Sequence, residues 1–282
     1  MGITLRDALG RCLVELWKDH KSYKSFYLVS VRAIDKDSIS SYQIGKVDSN
    51  LINDWINLKL TQGNSKSTIN QKLGLIKNAI DRASNVWGLE VQHVDWSSLK
   101  LKKATKSHSV WFTEEMEQQI FNRLAELGRQ DMIDLFTVLA DVGARFSSII
   151  NLHKNDVDLT GRTVTLRDTK NGDDITLPLT SRAAEVFSRR IHNEYPFHDL
   201  TYSAARQCWD RLRDHFGWPS GEGYKIHALR HTCGTRLAQA GVDIRVIQKW
   251  LGHRDIRQTA RYTQVIDEQL VSAMYKLEGN ND

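Results

Sequence analysis

The chain has 282 residues, 40% hydrophobic and 26% charged, with a net charge of +5, the composition of a globular protein long enough for two domains. No apolar run is long enough to span a bilayer and no basic-then-apolar leader opens the sequence, which argues against a membrane or exported protein. Cys12, Cys208 and Cys233 are widely spaced, odd in number and in no CxxC pattern, so they read as reduced packing thiols. A cytoplasmic protein of a bacterial cell, or one encoded by a phage within it, is expected. The charge is uneven: residues 1–107 carry 17 Lys and Arg against 10 Asp and Glu, leaving 22 against 24 in the rest. A positive first region is the electrostatic footprint expected for nucleic acid, although a lysine-rich helix face is commonly just solvated.

In chain order, Leu5–Trp17, Ser22–Ala33 and Leu51–Leu60 read as helices. Ile69, Leu73, Ile76, Ile80, Ala83 and Trp87 recur at intervals of four and three, one face of a helix that starts near Ser67-Thr68 and closes at Gly88. The stretch Ser97–Ser107 holds four lysines and no acid and is expected to be an interdomain linker, with Lys100, Lys102 and Lys103 placed to follow DNA phosphates. Residues 1–105 are therefore expected to form a small helical domain and 106–282 a second, mostly helical one. Thr113-Glu114-Glu115 opens a helix with a cap and acids suited to its positive end. Another helix, from about Gln130, runs into Val142-Gly143, where the glycine favours a stop just before Arg145. Thr163–Arg167 and Ile175–Leu179 form the clear β pattern, joined across Asn171-Gly172 with Lys170 in the connection. Helices follow at Ser181–His192, Tyr202–Phe216, Ala228–Ala240 and Asp243–Leu251, with short ones around Tyr262 and in the tail.

Six side chains along this second region combine into one chemistry. Arg145, Lys170, His227, Arg230, His253 and Tyr262 supply two guanidiniums, an ammonium, two imidazoles and a phenol. Guanidiniums stay charged and match paired phosphate oxygens two-pronged. A tyrosine becomes a nucleophile once neighbouring positive charge offsets its pKa of about 10. His227-Ala-Leu-Arg230-His231-Thr232 resembles the HxLRH box of the tyrosine recombinase family, the phage integrases and Xer-type recombinases. Leu251-Gly252-His253, with Thr259 and Tyr262 six and nine residues after the histidine, resembles that family's closing box. Gly143-Ala-Arg145 resembles its first arginine box, and Thr169-Lys170-Asn171-Gly172 its lysine hairpin. The likeness covers about Val110 to Tyr275, and more loosely the helices before it. Two positions depart from the family: Ser148 stands where an acid often follows the first arginine, and Gln264 where a histidine often follows the nucleophile.

The resemblance implies a mainly α fold: a small helical core-binding domain at 1–105 ending in the basic linker, then a mixed α/β, mostly helical catalytic domain at 106–282 with a small antiparallel sheet. It implies strand cleavage through a 3′-phosphotyrosine at Tyr262. Arg145, Arg230 and His253 would hold the phosphate, His227 would accept the tyrosine proton and Lys170 would protonate the departing 5′-oxygen. Neither metal nor other cofactor is needed, in keeping with the missing GxxxxGK[ST] loop. The partners implied are duplex DNA attachment sites, three further copies in a homotetramer, and accessory DNA-bending or directionality proteins. Val265, Ile266, Leu270, Ala273 and Leu277 give the tail an apolar stripe that would dock on a neighbouring protomer or on its own domain. Helices that begin almost at once leave little room for an arm-binding domain. Integration or excision of a mobile element is the expected task, with chromosome-dimer resolution or inversion as alternatives. His231, four residues after His227, reads as a packing or hydrogen-bonded histidine rather than half of a zinc site, since no HExxH glutamate accompanies it. A type IB topoisomerase-like enzyme shares the chemistry but needs no paired sites. A DNA-binding regulator with a helix-turn-helix at Asp243–Gln264, presenting Arg254, Arg257 and Arg261, leaves Arg145 and Lys170 without a purpose.

Overall fold

The computed structural model describes residues 2–102, 110–167, 174–220 and 223–265, with 263–265 described through their backbone alone. Lys103, Lys170 and the tail from Ile266 lie outside the described residues. The chain divides into two compact units, Met1–Thr105 and Lys106–Asp282. Among the described residues no helix is long and apolar enough to cross a membrane.

The first unit packs α1 (Leu5–Glu15), α2 (Leu28–Asp35), α3 (Ser49–Thr61) and α4 (Lys66–Asn85). Their starts follow from local chemistry. Thr4 accepts the Asp7 amide while the Asp7 carboxylate accepts the Thr4 amide at 2.9 Å, a reciprocal cap for α1. Asp48 and Ser65 cap α3 and α4. The expected stripe of α4 is buried at Ile69, Leu73, Ile76, Ile80 and Ala83. Trp87 falls past the helix end, where its indole donates to Glu15 at 3.0 Å.

Two stretches differ from the sequence reading. The expected helix at Ser22–Ala33 begins instead as a single wide π turn, Tyr23–Tyr27, before α2. The turn sets Tyr27 face to face with Trp17, ring centroids 5.0 Å apart. The expected linker also starts later. Asp95 caps a short α5 (Trp96–Leu99), Leu99 is buried, and the Asn70 side chain bonds the Leu101 backbone in both directions, at 2.8 and 3.1 Å. Lys100 and Lys102 remain exposed on this anchored strand of chain.

One charged pair sits in the first core. Lys59 and Asp37 are bonded to each other, their side chains 8% and 10% exposed, and Asp37 also accepts the Trp55 indole at 2.9 Å. Removing one partner of such a pair strands the other charge. Asp37→Ala is expected to lower the unfolding free energy by about 3–5 kcal/mol, read by urea titration; a loss within error would show that Lys59 reaches water instead.

The second unit is built around α7 (Gln130–Val142), buried on nearly every side by Met132, Leu135, Phe136, Val138, Leu139 and Val142. Around it lie α6 (Glu114–Glu126), α8 (Phe146–Ile150), α9 (Ser181–Arg190), α10 (Tyr202–His215), α11 (His227–Gln239) and α12 (Ile244–Leu251). A three-stranded antiparallel sheet, in order β1 (Val157–Asp158), β2 (Thr163–Leu166) and β3 (Ile175–Pro178), closes one flank. Its first strand is too short to leave a period-2 pattern. Buried acids are matched to arginines: Asp134 to Arg189 and Arg190, Glu117 to Arg182 and Arg236, Asp141 to Arg182. Against that matching, Arg145 and Arg230 stand out because among the described residues they bond backbone carbonyls and no carboxylate.

Candidate active site

α7 stops because Gly143 takes the left-handed conformation, φ 65°, which side chains rarely adopt. It also has no room for one: an added Cβ would lie 2.7 Å from Cys233 Sγ and 2.9 Å from a Leu251 methyl. The end of α7 therefore abuts both α11 and α12. Its last carbonyls, which a helix cannot satisfy internally, are taken by side chains from those two helices. Asp141 O accepts Cys233 Sγ at 3.4 Å, Val142 O accepts the Trp250 indole at 3.0 Å, and Gly143 O accepts Arg230 Nη1 at 2.7 Å.

Arg230 lies on the second turn of α11 and is 5% exposed. Its Nη2 donates to Leu251 O, the last residue of α12. Arg145, the residue before α8, reaches Gly252 O at 3.5 Å. Both guanidiniums thus meet at the Leu251–Gly252 turn, where Gly252 is again left-handed, φ 59°. Among the described residues neither arginine forms an ion pair with a carboxylate. Burial first, then Arg145, brings Arg230 down to about 10, so it stays charged near neutrality. Of a guanidinium's five N–H donors, Arg230 gives one to Gly143 O and one to Leu251 O, and among the described residues it makes no further hydrogen bond.

His253 follows the turn, and its Nδ1 lies 2.9 Å from the hydroxyl of Thr259, which is fully buried. Past α12 the described residues continue as 3-10 turns, Ile256–Gln258 and Ala260–Val265, rather than as the second helix of a helix-turn-helix. The second turn returns Tyr262 to α11. There it is 2% exposed, packed with Ala238, Ile247 and Leu251. Its hydroxyl lies 3.0 Å from Nδ1 of His231. The seat exists because residue 234 is glycine: an added Cβ would lie 2.5 Å from Tyr262 Cζ and 2.8 Å from its hydroxyl. Gly234→Ala is expected to displace the ring. Alanine gains about 1 kcal/mol of helix propensity and overpacking costs about 1–3 kcal/mol, so stability is expected to fall by about 0–2 kcal/mol. A misplaced nucleophile loses on the order of 10²-fold in rate, and single-turnover cleavage at wild-type speed would refute the crowding.

His227 opens α11 beside Arg230, its ring edge-on to His231 at 4.9 Å. Its side chain is solvent-exposed, yet packing on its inner side, then Arg230, Arg261 and Arg145, lowers it to about 4 and keeps it neutral at pH 7. Burial and the same cations bring His253 to about 4. Burial pushes Tyr262 up to about 12, opposed by Arg230 and Arg261. No described carboxylate contributes to any of these shifts: the pocket is a positive field awaiting an anion. A cavity of about 380 Å³ extends it, lined among others by Arg206 and Arg213, both paired with Asp210, and by Lys225, His227 and Arg230.

The structure thus brings Arg145, His227, Arg230, His253 and Tyr262 to one place. Lys170 lies outside the described residues, but the strand after it is tied in: an added Cβ at Gly252 would lie 2.6 Å from the Ile175 side chain at the start of β3. Sequence reasoning missed His231 as the hydroxyl's partner and Gly234 as its seat. The signal was present: a glycine in mid-helix is unfavourable, and His231 and Gly234 are three residues apart on one face.

A profile of the phage integrase family matches residues 110–269. The tyrosine recombinase XerA of Thermococcus kodakarensis is 29% identical over 217 residues, which cover 73% of this chain and 75% of that protein. Among solved structures, the Tn1549 transposon integrase in complex with a circular intermediate DNA superposes with a TM-score of 0.77 at 20% identity, covering 95% of this chain and 100% of that one. A lambda integrase tetramer bound to a Holliday junction superposes with a TM-score of 0.74 at 17% identity, covering 92% and 77%.

Proposed function

Because this chain belongs to the phage integrase family and is a site-specific tyrosine recombinase, we propose that it cuts and rejoins duplex DNA through a covalent 3′-phosphotyrosine at Tyr262. The observation that carries this reading is the pair of guanidiniums, Arg145 and Arg230, without carboxylate partners among the described residues, converging on one turn beside a buried phenol. An anion with paired oxygens completes that site, and a phosphodiester is such an anion. Donors preorganised where charge develops are each worth roughly 10²–10³ in rate. Arg145, Arg230 and His253 hold the non-bridging oxygens, and Lys170 protonates the departing 5′-oxygen. A 5′-hydroxyl from a partner strand then attacks the tyrosyl ester and reverses the chemistry, so no external energy source is consumed.

In this reading residues 1–105 bind DNA and 106–282 carry the catalysis. Lys100, Lys102 and Lys103 contact phosphates, each adding to the salt dependence of binding. Four protomers assemble on two DNA sites. Whether the product is an integrant, an excised circle, a resolved dimer or an inverted segment depends on how the two sites are arranged, not on the residues above. Integration and excision of a mobile element is the task we assign. The test is incubation with a nicked suicide duplex carrying the attachment site of the element that encodes the chain. A covalent adduct is expected with the wild-type chain, and joined products when two sites are supplied. Relaxation without joining would move the enzyme to the topoisomerase-like class, and binding without an adduct would leave only a regulator.

A further inference from the structure

A phenol held near pKa 12 attacks phosphorus only if something takes its proton. The candidate must lie within hydrogen-bond reach of the hydroxyl. His231 Nδ1 does so at 3.0 Å, and among the described residues His227 makes no hydrogen bond to Tyr262. Resting on the reading of Tyr262 as nucleophile, we propose that His231, rather than His227, accepts the Tyr262 proton as the phenol oxygen attacks.

The tautomer follows from burial. Tyr262 is 2% exposed, so its O–H requires an acceptor, and a buried donor left unpaired costs about 1–3 kcal/mol. Nδ1 therefore carries the lone pair and Nε2 the proton. Arg261 Nη1 stands 3.5 Å from Nε2 and can only donate, so in this tautomer the approach is not a hydrogen bond; Arg261 Nε donates instead to Gln258 O at 2.8 Å. The groups facing His231 are His227 and Arg230 on its own helix, with Arg261 and His253 from the segment after α12; burial first, then these charges, hold its ring neutral, at about 3. That low value belongs to the pocket without an anion. A phosphodiester held by Arg230 offsets the part of that lowering that comes from Arg230 and Arg261, though not the larger part due to burial, so Nδ1 becomes a somewhat better acceptor as the target phosphate arrives. In the step itself, the Tyr262 oxygen–phosphorus bond forms and the phosphorus–O5′ bond breaks. The phenol proton moves to Nδ1, giving an imidazolium, and O5′ leaves with a proton from the acid assigned to Lys170. Reversal returns both protons.

Asparagine separates proton acceptance from simple holding, because its amide can sit where Nδ1 sits and bond the hydroxyl but cannot take the proton. In single-turnover cleavage of the nicked suicide duplex, His231→Asn is expected to slow adduct formation by about 10²-fold or more, with DNA binding and thermal midpoint retained. A 5′-phosphorothiolate at the scissile position, which needs no protonated leaving group, is expected not to restore the rate. A slowing of less than about tenfold, or recovery on the phosphorothiolate, overturns the proposal. If the asparagine variant does not fold, ¹⁵N-histidine spectra of the wild-type chain decide: His231 with an unprotonated Nδ1 supports it, and a protonated Nδ1 overturns it. Tyr262→Phe run alongside keeps the two readings apart. An adduct from that variant removes the nucleophile reading and this proposal together, whereas an inert Tyr262→Phe beside a near-normal His231→Asn removes this proposal alone.

Discussion

Tyr262→Phe is expected to yield no covalent protein–DNA adduct while remaining folded and able to bind DNA. The phenyl ring keeps the packing against Ala238, Ile247 and Leu251, so the seat opposite Gly234 stays filled. What disappears is one hydroxyl bonded to His231 Nδ1, whose loss costs about 1–3 kcal/mol at most. The rate effect is of another size, because removing a covalent nucleophile lowers turnover by a factor on the order of 10⁴ or more. Denaturing gels after incubation with the suicide duplex read the adduct, and calorimetry reads the fold. An adduct of undiminished yield would mean that another oxygen attacks the phosphate.

Arg230→Lys is the second large effect, and retained charge is expected not to rescue it. Arg230 bonds Gly143 O and Leu251 O and still presents N–H groups toward the pocket. A lysine is a compact point charge that cannot bridge two carbonyls and grip paired phosphate oxygens at once. Cleavage is expected to fall by at least roughly 10²-fold, the value of one preorganised donor. Stability is also expected to fall, by roughly 1.5–3 kcal/mol for each charge-assisted bond lost, less the penalty that burial imposed on the cation in the first place. Urea titration measures the second effect and single-turnover cleavage the first. A lysine variant within tenfold of wild type would show that charge, not the planar fork, is what the phosphate needs.

Much of this was legible before any coordinates. The stripe from Ile69 to Ala83 was visible because a helix that buries one face must repeat every three to four residues. Gly143 marked a helix end because that end demands a left-handed residue. The grouping of Arg145, His227, Arg230, His253 and Tyr262 rested on spacing that matched a known family, and the fold brings those five together. Other features leave no periodic trace. A single π turn at Tyr23–Tyr27 is set by aromatic packing, which pattern reading does not weigh. The strand Val157–Asp158 is too short to show alternation. The anchoring of Leu101 depends on Asn70, far away in sequence. The partner of the Tyr262 hydroxyl was the hardest to foresee, because it depends on how irregular turns after α12 carry the chain back over α11.

The way α7 ends has a consequence for motion. Its last three carbonyls are each held by a different tertiary donor, Cys233, Trp250 and Arg230, so three helices share one clasp. Loosening any strand of that clasp leaves polar groups of the others stranded in the interior. Protection of amides from exchange across the ends of α7, α11 and α12 should therefore be lost in unison, as one cooperative foldon. The end of the helix before Arg145 is thereby held to the helix that carries Arg230 while the pocket waits for its phosphate.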